Sequence, residues 1–230
     1  MINLAKQALD VGLYTNQLDE MLAFWQGQIG LEYAEMLPVG SGVRQHRHKI
    51  GESILKINHK RESLTANPPT GLRQLNIYSN RVNETTELSD PDENSINLVP
   101  TTEDATSPNL RLTLTTANID AQHHYYSHVL GLPQQQDCYL VGASEIQLQQ
   151  GPSVDPAHPR DALGFRYMTL QVFDVVGTHH EILNRGGTEG MAPVKLGDVA
   201  YISFVRDADG NWIEISQRKS LTGSLDSPGD

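Results

Sequence analysis

The chain has 230 residues, 38% of them hydrophobic, and a formal net charge of −11 at pH 7. This length allows one large domain or two small ones, each able to bury a core. The acidic balance argues against nucleic acid and anionic membranes as partners, because phosphate groups are bound by clustered Lys and Arg.

The cysteine content and the chain ends bear on location. Cys138 is the only cysteine, so an internal disulfide is impossible and a reducing compartment is favoured. We expect Cys138 to be a small buried side chain rather than a reactive thiol. No signal peptide is recognisable, and no stretch approaches the roughly 18 apolar residues of a membrane span. These features predict a cytoplasmic protein, with residues 220–230 as a disordered tail rich in Ser, Gly, Asp and Pro.

The first 60 residues predict a strand, a helix and three further strands. Alternating apolar residues over 11–15 indicate a half-buried strand. Four apolar residues then share one helical face over 18–28, namely Leu18, Met21, Leu22 and Trp25. Gly30 follows where such a helix would end. Strand-like runs come next, at residues 33–36, 43–48 and 54–58.

The segment from residue 11 to residue 31 recurs 101 positions later, from residue 112 to residue 132. Ile29-Gly30-Leu31, for example, corresponds to Leu130-Gly131-Leu132. Similarity at a fixed offset indicates duplication of a structural unit. The second copy therefore predicts a strand at 112–116, a helix at 120–130, and strands near 138–141 and 145–149.

Two other segments repeat as well. Residues 71–75 are similar to 164–168, and the Asp- and Asn-containing run 90–98 is similar to 207–215. The later copy has additional residues between these runs, which predict a helix at 175–185 and a hairpin. Residues 80–89 of the earlier copy have no apolar period and predict a short connection instead. The chain thus consists of four modules, the second of them shortened.

Two motifs carry a family resemblance. Phe24-Trp25 precedes Ile29-Gly30-Leu31 in module one, and module four ends with Asp207-Ala208-Asp209-Gly210-Asn211-Trp212-Ile213-Glu214-Ile215. This pattern resembles the vicinal oxygen chelate superfamily of glyoxalases, bleomycin-resistance proteins and extradiol dioxygenases. The resemblance covers nearly the whole chain, although module two matches only at its two ends. It implies an α+β fold of two tandem domains, residues 1–100 and 101–219, in which paired βαβββ modules form open, cupped mixed sheets.

The resemblance also marks eight positions, because metal-dependent members of the superfamily place His, Glu or Gln on the first and last strands of their modules. The first-strand positions here are Asp10, Gln74, Arg111 and Tyr167. The last-strand positions are Lys56, Asn97, Gln147 and Glu214. Apolar neighbours flank Lys56, Gln147 and Glu214, so these polar side chains should face the cup while the neighbours face the helices.

These eight residues are a poor set of metal ligands. A divalent metal needs about three ligands drawn from neutral imidazole and carboxylate, and only Asp10 and Glu214 qualify. Lys56 and Arg111 would repel a cation, and Tyr167 would have to ionise far below its usual pKa of about 10. We therefore expect neither a metal nor another cofactor.

The histidines offer two alternative ligand pairs. His46 and His48 share one face of a strand, and His124 and His128 form a helical i, i+4 pair. Neither pair has a carboxylate at a suitable spacing, so we interpret both as solvent-exposed or core-edge histidines. Two more, on the predicted helix of module four, are expected at the surface: His179 and His180.

A cup without metal still offers hydrogen-bonding groups and aromatic planes that suit a small polar or planar ligand. The candidate ligand-binding residues are Asp10, Lys56, Gln74, Arg111, Gln147, Tyr167, Trp212 and Glu214. Two charge pairs are expected, Asp10 with Lys56 and Arg111 with Glu214. One interpretation is that the members of each pair neutralise each other's buried charge. The other is that Arg111 binds a ligand carboxylate while Glu214, the candidate catalytic residue, acts as a general base.

Three functions remain open at this point. The first is a bleomycin-resistance-like protein that binds a small molecule without chemistry. The second is a metal-dependent enzyme of the same superfamily, either a lyase or a ring-cleaving dioxygenase, which is an oxidoreductase. The third is a degenerate member used in assembly or regulation, whose cup should be filled by its own side chains.

The pairing of modules is open as well, since superfamily members pair them within a chain or across a homodimer, and we expect a monomer or a homodimer. If modules one and four pair, the shared site contains Asp10, Lys56, Tyr167 and Glu214. If modules three and four pair, Arg111 and Gln147 replace Asp10 and Lys56.

Overall fold

The computed structural model describes residues 2–65, 69–101 and 107–226. Its strands in modules one and two are β1 (Asp10–Thr15), β2 (Glu32–Pro38), β3 (Val43–Ile50), β4 (Ser53–Lys60), β5 (Leu72–Ser79), β6 (Thr86–Ser89) and β7 (Ser95–Pro100). The strands in modules three and four are β8 (Leu110–Thr116), β9 (Gln134–Gln135), β10 (Cys138–Val141), β11 (Ser144–Gln150), β12 (Gly164–Gln171), β13 (Thr188–Leu196), β14 (Ala200–Arg206) and β15 (Trp212–Arg218). The helices are α1 (Leu18–Leu22), α2 (Ile119–His124), α3 (Val175–Asn184) and α4 (Lys219–Thr222).

The strands form two mixed sheets. The first sheet has eight strands in the order β13-β14-β15-β12-β1-β4-β3-β2, and the second has seven in the order β6-β7-β5-β8-β11-β10-β9. Modules one and four therefore share the first sheet through the antiparallel pair β1 and β12, and modules two and three share the second through β5 and β8. The predicted α+β fold of open, paired-module sheets is confirmed.

Each sheet takes strands from both predicted domains, residues 1–100 and 101–219, so neither range contains a complete sheet. Of the pairings that the sequence left open, modules one and four lie together. The two boundaries stay a prediction about the duplication of the chain.

Both predicted helices of the repeat are present, but each widens into a π-helix. Helix α1 continues as a π-helical segment over Ala23–Gln28, and α2 continues as one over Tyr125–Val129. The π-type bonds include Ile29 N–H to the Phe24 carbonyl at 2.9 Å and Leu130 N–H to the Tyr125 carbonyl at 2.9 Å. The wider turn occurs at equivalent positions of both copies, and hydrophobic periodicity does not distinguish it from an α-helix.

Two predictions about irregular segments need correction. Residues 80–89 do not form a plain connection, because β6 pairs with β7 in an antiparallel ladder. A disordered tail from residue 220 is wrong for residues 220–226, since α4 reaches Thr222 and Leu225 is buried. Residues 227–230 of that predicted tail lie outside the described part of the chain.

Apolar residues that alternate along the central strands form the core between the helices and sheets. Leu55 and Ile57 of β4 and Ile213 and Ile215 of β15 are all fully buried in it. The intervening Lys56 and Glu214 therefore face the opposite, concave side of the first sheet. No helix in the described ranges combines the length and the apolar character that a membrane span requires.

The Asp-x-Asp-containing runs are structural turns. Oδ1 of Asp207 accepts hydrogen bonds from the backbone N–H groups of Asp209 and Asn211, at 3.0 and 2.9 Å. Asp90 makes the equivalent bonds to Asp92 and Asn94, at 3.1 and 2.9 Å. A carboxylate that satisfies two backbone donors fixes the entry into β7 and β15.

The asparagine of each turn also fastens one sheet to the other. Oδ1 of Asn211 in module four accepts from the N–H of Gly71 in module two at 2.7 Å. Oδ1 of Asn94 in module two accepts from the N–H of Phe165 in module four at 3.0 Å. The two contacts are reciprocal, so the starts of β5 and β12 are each anchored by a turn of the neighbouring sheet.

We expect Asn211→Ala to lower the free energy of unfolding by about 1–3 kcal/mol, because it leaves the buried N–H of Gly71 without an acceptor. Asn94→Ala should act in the same direction. Urea denaturation measures both, with Asn83→Ala at an exposed position as control. An Asn211→Ala variant as stable as the control would show that this contact does not hold the sheets.

Candidate functional site

A buried ion pair lies at the centre of the concave face of the first sheet. Nζ of Lys56 lies 2.6 Å from Oε2 of Glu214 and donates to Oγ1 of Thr169 at 2.7 Å. The Thr169 hydroxyl donates in turn to Glu214 Oε2 at 2.6 Å. The three side chains thus form a closed triangle, which we call the Lys56–Thr169–Glu214 triangle.

The two charged residues of the triangle occupy equivalent positions of modules one and four. In module one the parallel ladder places Lys56 of β4 beside Gly12 of β1. In module four it places Glu214 of β15 beside Thr169 of β12. The last strands of the two modules therefore contribute one charge each, of opposite sign, to the same point of the cup.

Burial and pairing act against each other on the pKa values of the triangle. Burial alone would raise the pKa of Glu214, but the Lys56 ammonium and the Thr169 hydroxyl together hold it below its ordinary value. Burial lowers the pKa of Lys56, and the nearby Glu214 and Asp10 carboxylates oppose that shift. Glu214 is consequently an anion whose Oε2 atom accepts from both Lys56 and Thr169, and its lowered pKa makes it a weak base.

Asp10 lies in the same cup but pairs elsewhere. Its fully buried carboxylate lies 2.5 Å from the Lys6 ammonium, and it accepts from the Ile54 N–H at 2.8 Å and from Gln171 Nε2 at 3.2 Å. The predicted ion pair of Asp10 with Lys56 is therefore wrong, since each has a nearer partner.

A cavity of about 360 Å³ adjoins the triangle. Its apolar side is formed mainly by the end of β2, the residue after it and the β13–β14 hairpin, with Leu37, Pro38, Val39, Leu196, Val199 and Ile202. Its polar side is formed by the sheet, with Gln45, Arg47, Lys56, Gln171, Glu214 and Arg218. A pocket with one apolar and one charged wall suits a small amphipathic molecule.

Two arginines of the polar side share a single carboxylate. Nε of Arg47 lies 3.1 Å from Oε1 of Glu35, and Nη2 of Arg218 donates to the same oxygen at 3.2 Å. Arg47 Nη1 also donates to Gln45 Oε1 at 2.9 Å. Both arginine side chains are largely buried, whereas the Glu35 side chain is 42% exposed on the edge strand β2.

The other end of this cup is filled by aromatic side chains. Tyr14, Tyr167, Phe204 and Trp212 pack together there, and the guanidinium of Arg160 lies 4.4 Å from the centre of the Phe204 ring. Gly12 makes this packing possible, because a Cβ atom at that position would come within 2.2 Å of the Tyr167 ring. Tyr167 and Trp212, predicted as ligand-binding residues, lie in this aromatic cluster and do not line the cavity.

The second sheet holds the remaining predicted site residues. Nε of Arg111 donates to Oε2 of Glu145 at 2.7 Å, so its predicted pairing with Glu214 of the first sheet is wrong. Gln74 donates to Ser95 at 3.1 Å, and Asn97 donates to Asn76 at 3.0 Å. Gln147 lies on β11, beside Thr113 of β8. The structure therefore splits the predicted site between two sheets, and brings Asp10, Lys56, Tyr167 and Glu214 into one of them.

The histidines occupy several environments. Nε2 of buried His48 lies 3.0 Å from Gln26 Nε2, and the stacked rings of His124 and His128 are 4.9 Å apart. His179 is fully buried between Ser203 and Glu189, at 3.0 Å from each, so its predicted surface position is wrong. Within the described ranges, no three His, Cys, Asp or Glu side chains cluster in a way that could hold a metal ion.

Comparison with known proteins supports the fold. The family model described as "Glyoxalase/Bleomycin resistance protein/Dioxygenase superfamily" matches residues 110–215. Residues 110–215 thus have the sequence pattern of this superfamily, and their strands are divided between the two sheets. No curated protein matches the chain in sequence.

Solved structures extend the likeness to the whole chain. Glyoxalase I from Zea mays is 13% identical with a TM-score of 0.74, over 97% of this chain and 96% of that one. A putative dioxygenase from Bacillus subtilis is 11% identical with a TM-score of 0.64, over 99% and 92%. The cppA protein from Streptococcus pneumoniae is 10% identical with a TM-score of 0.55, over 94% and 100%. At these identities the likeness shows the shared fold.

The residues at the metal-ligand positions of the superfamily do not fit a divalent metal. The Lys56 ammonium lies against the Glu214 and Thr169 oxygens, where a cation would have to bind. The second carboxylate, Asp10, is held by the Lys6 ammonium and two further donors. A metal would therefore have to displace two ammonium groups and would find no imidazole among the eight positions.

Sequence reasoning missed Arg47, Arg218, Glu35 and the apolar side of the cavity. Strand β3 has the sequence Val-Arg-Gln-His-Arg-His-Lys-Ile, with polar residues on both faces. Alternation of apolar and polar residues therefore does not indicate on which face Arg47 lies. The alternation of neighbouring β4 supplies a usable signal, because the ladder places Arg47 opposite Lys56. Cross-strand neighbours lie on the same face of a sheet.

We expect Lys56→Met and Glu214→Gln each to lower the free energy of unfolding by about 3–5 kcal/mol, because each leaves one buried charge without its partner. The double variant should lose clearly less than the sum of the two, which denaturant unfolding of all four proteins at pH 7 measures. Additive losses would show that the two charges do not stabilise each other.

The lowered pKa of His48 predicts that the protein loses stability in acid. Burial, with a smaller effect of His46, lowers the pKa of His48 from 6.5 to about 4. The unfolded chain therefore takes up this proton first, so the effect is absent above pH 6.5 and grows as the pH falls towards 4, to about 3 kcal/mol. His48→Gln should flatten this part of the stability profile, and His180→Gln, at an exposed position, should not. Equal profiles for the three proteins would refute the assignment.

Proposed function

We propose that the protein binds a small amphipathic molecule in the cavity of the first sheet, without a metal ion. The observation that carries this proposal is the Lys56–Thr169–Glu214 triangle beside a cavity of about 360 Å³. An internal ammonium group fills the position of a metal, while the space next to it stays open to a ligand. A bleomycin-resistance-like binding or sequestering role follows from this arrangement.

The other two functions fit the site less well. A metal-dependent lyase or dioxygenase would need donors that the cup positions do not supply, and Glu214 is too well paired to act as a general base. An assembly or regulatory role predicts a cup filled by its own side chains. The aromatic cluster around Tyr167 meets that description at one end of the cup, but the cavity at the other end does not.

The proposal keeps the candidate ligand-binding roles of Lys56 and Glu214, which line the cavity. It gives Asp10 a supporting role, because its carboxylate holds Gln171 of the polar side. Cytoplasmic location and a monomeric or homodimeric state stay predictions from the sequence.

A neutral fluorescent probe, N-phenyl-1-naphthylamine, tests whether the cavity binds apolar groups. We expect saturable binding to the wild-type protein and roughly tenfold weaker binding to Val199→Asp, because the new charge lies in the apolar wall. Val194→Asp is a matched control, since Val194 is a similarly exposed valine on β13 that does not line the cavity. Absence of saturable binding, or equal losses in both variants, would contradict the proposal.

A further inference from the structure

The charges around the cavity do not balance. The 360 Å³ cavity is lined by three cationic side chains, Arg47, Lys56 and Arg218, and by one carboxylate, Glu214. Lys56 pairs with Glu214, so the two guanidinium groups are left with the single carboxylate of Glu35, which does not line this cavity. A local excess of one positive charge results, in a chain whose net charge is −11.

The two arginines are close enough to repel each other. Burial lowers the pKa of Arg47 and the charge of Arg218 lowers it further, while the Asp10, Glu35 and Glu214 carboxylates oppose this shift only in part. Their side chains are only 7% and 14% exposed, so solvent screens this repulsion incompletely. A second anion at this point would relieve it, and a carboxylate or sulfonate matches the planar donor groups of guanidinium.

The arginines also stand where two cavities meet. Arg47, Arg218 and Gln171 line both the 360 Å³ cavity and a wider neighbouring one of about 710 Å³. Glu35 lines only the wider cavity. A ligand in the smaller cavity can therefore present an anionic group to the arginines in a space that Glu35 does not line.

We propose that the ligand is an amphipathic organic anion, whose charged group binds Arg47 and Arg218 and whose apolar body lies against Leu37, Val39 and Val199. Glu35 is the internal counter-ion that neutralises one of the two arginine charges in the free protein and competes with the ligand for both arginines. This inference rests on the proposed function, since it assigns a chemical class to the molecule bound in the same cavity.

Two probes that differ by one charge test the inference. 1-Anilinonaphthalene-8-sulfonate carries a sulfonate that neutral N-phenyl-1-naphthylamine lacks. We expect the anionic probe to bind the wild-type protein more tightly, by roughly tenfold, as a charge-assisted hydrogen bond to guanidinium implies. Arg218→Gln should remove most of this difference, whereas Arg185→Gln, which removes an equal charge just after helix α3 and away from the cavity, should retain it.

Glu35→Gln is the second variant, and its expected effect has the opposite sign. Removing the competing carboxylate should tighten binding of the anionic probe several-fold and leave the neutral probe unchanged. An effect of opposite sign in two variants of one ion-pair network cannot come from general destabilisation. The Glu35 variant also keeps the test valid if Arg218→Gln does not fold.

The outcomes separate the two proposals. Equal affinities of the two probes, with no response to Arg218→Gln or Glu35→Gln, would overturn the anionic ligand and leave cavity binding intact. Absence of saturable binding of either probe would overturn the proposed function itself.

Discussion

The buried ion pair of Lys56 and Glu214 is the constraint on which the cup depends. Its two charges come from the last strands of modules one and four, 158 positions apart in the chain. Neither charge is tolerable in the interior without the other, so both modules must join in one sheet and in one register. A shift of either strand by one residue would turn its charge towards the apolar core. The pair thereby specifies the sheet as well as stabilising it, and it leaves the cavity beside it free.

Much of the fold is predictable because it repeats. The recurrence of residues 11–31 at 112–132 identifies the modules, and alternation around Lys56 and Glu214 assigns their faces. The pairing of modules is not predictable in the same way. Every module begins with a similar strand, so the pattern of one strand does not name the strand it will lie against. The widened helices were missed for a related reason, since a π-turn and an α-turn bury nearly the same apolar residues.

The candidate site was predicted in part. Of the positions taken from the family resemblance, Lys56 and Glu214 lie beside the cavity, whereas Arg111, Gln74 and Gln147 belong to the other sheet. Tyr167 and Trp212 face the cup but pack in the aromatic cluster with Tyr14 and Phe204. The sequence pattern does not identify the two arginines that give the cavity its positive charge. Arg47 lies in a strand that is polar on both faces, and Arg218 lies at the end of its strand. Single-strand patterns do not reveal such residues, but ladder partners do.

In the sequence, the strands of the second sheet lie between the two halves of the first sheet, and this order affects folding during translation. All strands of the second sheet lie between residues 72 and 150, whereas the first sheet is built from residues 10–60 and 164–218. The second sheet can therefore form before the strands of residues 164–218, which complete the first sheet, have been synthesised. Until Glu214 is synthesised, the Lys56 ammonium stays hydrated, because it has no carboxylate partner at the centre of the cup. Long-range pairing of this kind is slow, and it leaves the edge of β1 open to other strands for most of translation.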